Sequence, residues 1–148
     1  MEVSAIARAS SNPHSVEVFP SYMAKVSKAN LYLKCGHGPW SEALLDGSRN
    51  NHILTIDCSN GVSVLEKQSG KIDASQGDVH QFGNAHYWLN PQNNLVVAQN
   101  ITTGLQKTDP DHSAYYASRL EQFKKESIDR ILVWKERLKT LKGVKIIT

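Results

Sequence analysis

The chain has 148 residues, 40% of them apolar and 21% charged, and a net charge of +3. That is enough for one domain with a real core, and the charge is too small and too mixed for a nucleic-acid groove. No run approaches the roughly 18 apolar residues that span a bilayer, and the start Met1-Glu2-Val3 is acidic at once, unlike a secretory signal peptide.

In chain order, residues 2–7 read as a first strand. It leads into Ser11-Asn12-Pro13-His14-Ser15-Val16-Glu17, a proline-fixed turn that presents a histidine. Pro20-Ser21 opens a short helix in which Tyr22, Val26 and Ala29 recur at helical spacing. Residues 31–35 give a second strand, ended by Gly36-His37-Gly38-Pro39, and residues 40–45 a second short helix, stopped by Asp46-Gly47. Residues 53–58 form a third strand. Strands alternating with helices predict an α/β fold with a parallel sheet and right-handed crossovers, in which binding groups gather at the strands' C-terminal ends. His14, Cys35, His37 and Cys58 all fall at such ends. The two cysteines are spaced too widely for a zinc knuckle. A disulfide is open to them if their strands are neighbours, and two reduced, mostly buried thiols are expected.

Residues 61–85 are the least regular stretch and read as a long loop or weak hairpin. It delivers Asn84-Ala85-His86-Tyr87-Trp88-Leu89-Asn90-Pro91. Here Asn90 is expected to cap a helix that starts at Pro91, with Tyr87, Trp88 and Leu89 as buried anchors beside His86. That helix runs to about residue 107. Asp109-Pro110 then repeats the device and opens a longer helix reaching residue 142, about 45 Å at 1.5 Å per residue. Tyr116, Leu120, Phe123, Ile131, Trp134, Leu138 and Leu141 form its apolar stripe. Its late lysines and arginines interleave with Glu121, Glu126, Asp129 and Glu136, the pattern of a solvated helix face. Residues 144–148 read as the start of another strand.

Asn12-Pro13-His14-x-x-Glu17-x-x-Pro20-Ser21, followed much later by His86-x-Trp88-Leu89-Asn90-Pro91, resembles the solute-binding proteins of zinc- and manganese-type metal ABC transporters. Those read roughly Asp-Pro-His-x-x-Glu-x-x-Pro-Ser and His-x-Trp-Leu-Asp-Pro, so Asn12 and Asn90 each replace an aspartate. The resemblance covers essentially the whole chain and about half of a family member. It implies a parallel-sheet N-terminal lobe at residues 1–108, incomplete at its start, a long backbone helix at 109–142, and at 143–148 the first strand of a second lobe that is missing.

The same resemblance implies capture of a divalent cation (zinc, manganese or iron) outside the cytoplasmic membrane, for delivery to an ABC import permease. His14 and His86 are the implied metal ligands, and a third histidine and a carboxylate would come from the second lobe. The expected location is periplasmic or extracellular and membrane-associated, and the missing signal peptide suggests a truncated chain. His37 and His80 are candidate additional ligands, and Glu17 could hold the second nitrogen of His14. His80 stands alone in a region where zinc-dedicated members carry histidine-rich runs, which leans away from that subtype. His52 and His112 read as surface residues. Two other classes stay open: a fragment that keeps the fold without binding metal, and an enzyme built on Cys35 and His37. Against the enzyme stand the absence of a Gly-x-Ser-x-Gly elbow, a phosphate loop and a His-Glu-x-x-His motif. Exposure of Trp134, Leu138 and Leu141 would favour self-association through the last third of the chain.

Overall fold

Leu-Tyr-Leu-Lys and Leu-Thr-Ile-Asp are short runs with aromatic or β-branched members, and both become strands. These are β1, Leu31–Lys34, and β2, Leu54–Asp57. They pair in parallel, with Leu31 opposite Leu54 and Lys34 opposite Asp57. Parallel neighbours cannot be closed by a tight hairpin; helix α2, Pro39–Ser48, supplies the crossover. The computed structural model describes residues 1–7, 12, 16–35, 39–65, 84 and 86–145. Among these, the sheet has two strands.

The strand expected at residues 2–7 does not form. Met1 and Val3 are 87% and 81% exposed, and without a neighbouring strand to bond, an extended run has no ladder. Ile6 still packs on the core. Of the strand expected at residues 144–148, 144 and 145 are irregular and 146–148 lie outside the described residues.

Helix α1, Pro20–Val26, starts with proline in its first turn, where no backbone N–H is missed. Its buried Val26 meets Tyr32 of β1 and Leu44 of α2, with Tyr22, Met23, Trp40, Leu45 and Ile53 around them. The Tyr32 hydroxyl reaches Ser41 Oγ at 3.0 Å, so the one polar atom this ring buries is satisfied. Asn50 ties the end of α1 to the α2–β2 loop, its Nδ2 donating to the carbonyls of Val26 at 3.0 Å and Ala29 at 2.9 Å. These are carbonyls that a helix end leaves without internal partners. Helix α2 runs three residues past the expected end at residue 45. Gly47 lies inside it because Met23 of α1 packs where a side chain would be: a Cβ there would come within 2.6 Å of Met23 Cε. The left-handed backbone of Arg49, at φ 54°, ends the helix instead.

The other face of the sheet carries α3, Asn93–Thr108. Gly104 is buried there, and a Cβ on it would lie 2.8 Å from Ile56 Cγ1 and 3.2 Å from Leu31 Cδ1. The glycine is what lets the helix lie directly on the strands. A 3-10 turn at Pro110–His112 leads into α4, Ser113–Arg137, which runs antiparallel to α3. Gln106 Nε2 donates to the Ser113 carbonyl near the turn, and Lys124 Nζ to Gln99 Oε1 further along. Tyr116, Leu120 and Ile131 are its buried residues.

The continuous helix expected over 109–142 is thus shorter, 25 residues or about 38 Å, with a second 3-10 turn at Lys139–Leu141. Every residue from 132 to 145 is exposed, so among the described residues no burial holds the last turns, and they tighten. The stripe of Trp134, Leu138 and Leu141 is 46%, 57% and 54% exposed. No helix among the described residues is long and apolar enough to cross a membrane.

Replacing Gly104 by valine would force branched methyls between α3 and the sheet. Urea unfolding of Gly104→Val is expected to show a loss of about 2 kcal/mol or more; a midpoint equal to the parent's would mean the helix is not clamped at this point.

Candidate metal site

Past the C-terminal ends of β1 and β2, Tyr87–Leu89 winds into a single 3-10 turn ahead of α3. Of the three expected anchors only Tyr87 is buried, at 6%; Trp88 is 38% exposed and Leu89 76%. A 3-10 turn has three residues per revolution, so consecutive side chains point three ways and one of them faces the body of the protein. Helix α3 also begins later than expected, at Asn93. Asn90 Oδ1 accepts from the Gln92 N–H at 3.0 Å and the Asn90 carbonyl from the Asn93 N–H at 3.0 Å, so Asn90-Pro91 closes a turn before the helix starts.

Two asparagines of α3 grip this turn. Asn93, itself buried, donates from Nδ2 to the Tyr87 carbonyl at 2.8 Å, and Asn94 to the Trp88 carbonyl at 3.3 Å. From the turn, the Tyr87 hydroxyl donates to the Cys35 carbonyl at 3.3 Å, just past β1. Burial first, and then the neighbouring Cys35, push the Tyr87 hydroxyl well above the usual tyrosine range.

His86 directly precedes this pinned turn and is exposed. Its backbone N–H donates to Asn84 Oδ1 at 2.9 Å, and its ring Nδ1 lies 3.2 Å from the same oxygen. A carboxamide oxygen only accepts, so the ring nitrogen facing it is the protonated one. Nε2 then carries the lone pair, which is the form a metal ligand needs. Trp88 meets the imidazole edge-on, with ring centroids 5.4 Å apart.

The implied partner His14 lies outside the described residues, as do His37 and His80. Glu17 is exposed, and the histidine it was expected to orient is not described. Among the described residues no three His, Cys, Asp or Glu side chains gather as a metal cluster. His52 is exposed as expected. So is His112, whose Nδ1 sits 2.9 Å from Asp109 Oδ1.

Cys35 and Cys58 are reduced. Cys58 is buried at 1% exposure, but Cys35 is exposed, against the expectation that both are mostly buried. Cys35 lies one residue past the end of β1 and of the ladder. The Cys58 thiol hydrogen-bonded to the Cys35 sulfur holds Cys35 down at about 6, against the effect of burial and with help from the Tyr87 hydroxyl. The same bond, and then burial, push Cys58 far above the thiol range. Among the described residues no imidazole takes part in lowering Cys35. Fast alkylation of Cys35 therefore does not distinguish an enzyme from a binding protein.

Sequence reasoning missed the asparagines. Asn84 could have been found, since an asparagine two residues before a histidine is a local turn signal. Asn93 and Asn100 could not: Asn100 Nδ2 donates to the carbonyls of Cys58 at 2.9 Å and Asn60 at 2.8 Å, 42 and 40 residues away.

The profile of the family described as zinc-uptake complex component A, periplasmic, matches residues 1–148. The chain belongs to this family. It is 30% identical over 125 residues to the manganese ABC transporter substrate-binding lipoprotein scaA of Streptococcus gordonii, a match covering 76% of this chain and 36% of that protein. It is 27% identical over 125 residues to a metal ABC transporter substrate-binding lipoprotein of Lactococcus lactis, covering 80% and 38%. The crystal structure of ZnuA superposes with a TM-score of 0.69 at 25% identity, covering 86% of this chain and 46% of that one. The chain thus spans less than half the length of the relatives it matches. The family is one of transporter substrate-binding proteins, not an enzyme class.

Alkylation of Cys35 followed against pH should show a midpoint near 6. In Cys58→Ala the midpoint should climb towards the ordinary thiol value of 9.0, because the donor that stabilises the thiolate is gone. An unchanged midpoint in that variant would mean Cys58 is not the cause.

Proposed function

We propose that this chain contributes one side of an extracytoplasmic site that captures a divalent transition metal for an ABC import permease. The observation that carries the reading is the contact of His86 Nδ1 with Asn84 Oδ1 at 3.2 Å: an oxygen that only accepts favours the tautomer with the proton on Nδ1, which leaves the lone pair for a metal on Nε2. Family membership supports it, because relatives are named as manganese or metal substrate-binding lipoproteins of ABC transporters. His14 is proposed as the second imidazole, and His37, His80 and Glu17 as candidate further or orienting groups. The metal is cargo, so the protein's task is reversible coordination rather than covalent chemistry.

Imidazole nitrogen suits zinc, and suits manganese or iron when carboxylate completes the shell. A zinc site takes about four ligands, and two histidines leave the other positions to further donors or to water. Binding by these 148 residues is therefore weak. The proposed division of labour is a metal lobe over 1–108, a stiff connecting helix, Ser113–Arg137, within residues 109–142, and the opening of a second lobe after it.

Calorimetric titration with zinc and with manganese should give weak binding that disappears in the His14→Ala/His86→Ala variant. Equal heats from both proteins, or no heat from either, would sink the reading. Asn84→Ala is expected to weaken metal binding by roughly tenfold or more through the lost tautomer control, with the fold retained by circular dichroism. Unchanged affinity in that variant would remove the role given to Asn84.

A further inference from the structure

At the C-terminal end of the sheet the register carries on one step past the ladder. Lys34 stands opposite Asp57, and the Cys58 N–H donates to the Lys34 carbonyl at 2.7 Å. The next pair in register is Cys35 and Cys58. Alternation along each strand puts both on the face of Leu31 and Ile56, the face covered by α3. The two thiols are near enough to act on each other, Cys58 lowering Cys35 and Cys35 raising Cys58. Neighbouring strands lie about 4.8 Å apart, inside the roughly 4.4–6.8 Å Cα separation that a disulfide spans. Both backbones are held in place, the Cys35 carbonyl by the Tyr87 hydroxyl and the Cys58 carbonyl by Asn100.

The two thiols differ in access. Cys35 is exposed and Cys58 is 1% exposed. We propose that Cys35 and Cys58 form a redox-active dithiol, which closes to an intramolecular disulfide by exchange with a low-molecular-weight disulfide such as oxidised glutathione.

Access sets the order of events. Cys35 gives its proton to solvent, and its thiolate attacks one sulfur of the glutathione disulfide. That S–S bond breaks, and one glutathione leaves as thiolate and takes up a proton. Cys58 then loses its proton and attacks the Cys35 sulfur, forming the protein disulfide and expelling the second glutathione. Two protein thiols lose two electrons and one glutathione disulfide gains them. The bond ties the ends of β1 and β2 together directly beneath Tyr87, next to the turn that carries His86.

The test is incubation of the whole chain with oxidised glutathione, followed by alkylation, mass measurement and peptide mapping. The expected product is lighter by two hydrogens, takes up no alkylating reagent, links the Cys35 and Cys58 peptides, and reverts with dithiothreitol. Cys58→Ser should accumulate the glutathione adduct at Cys35, while Cys35→Ser, folded by circular dichroism, should stay unmodified. Two results in the parent chain would overturn the proposal: two thiols still open to alkylation, or a lasting glutathione adduct with no protein disulfide.

Discussion

The close seating of α3 on the two-stranded sheet is the contact on which the rest depends. Gly104 permits it, since the helix axis comes near enough for a Cβ to collide with Ile56 and Leu31. A two-stranded sheet is marginal in water by itself, and here each face is covered, by α1 and α2 on one side and α3 on the other. Burial of apolar surface supplies most of the driving force. The asparagine side chains of α3 add about 1 kcal/mol per hydrogen bond, too little to hold a helix down but enough to choose its position along the sheet.

That choice organises the edge at the C-terminal ends of the strands. Once α3 is seated, Asn93 reaches the Tyr87 carbonyl and Asn100 reaches the carbonyls after β2. Tyr87 in turn touches the backbone after β1. One helix therefore fixes two strand ends and the turn that carries His86. The imidazole is exposed, but it is not loosely hung: Asn84 meets it through backbone and ring, and Trp88 lies edge-on beside it. Placement of this kind matters for coordination, because affinity is higher when donors are oriented before an ion arrives.

At the far end of α3 the chain turns on Asp109. Its N–H donates to the Leu105 carbonyl, closing α3, and its carboxylate accepts from the Tyr116 hydroxyl at 2.6 Å. The Tyr116 hydrogen bond first, and then the His112 side chain, hold Asp109 below the usual carboxylate range. The bond ties the turn to the first helical turns of α4. Leu120 and Ile131 continue the contact, and past Ile131 every described residue is exposed.

Local chemistry made much of this legible in the chain itself. Pro20 marked the start of α1, the runs around Tyr32 and Ile56 marked β1 and β2, and their separation by a helix required a parallel pair. The paired motifs around His14 and His86 were enough to point to the family, because turns fixed by proline and asparagine act within a few residues. What acts over long distance had no such signature. Whether residues 2–7 would pair, which of Tyr87, Trp88 and Leu89 would be buried, and where the long helix would end all depended on neighbours brought close only by folding. The same holds for the meeting of Cys35 with Cys58 and the reach of Asn100 across 42 residues. Sequence determined the elements and the chemistry they carry; tertiary structure decided which of those groups touch, because contact is a property of the packed chain and not of spacing along it.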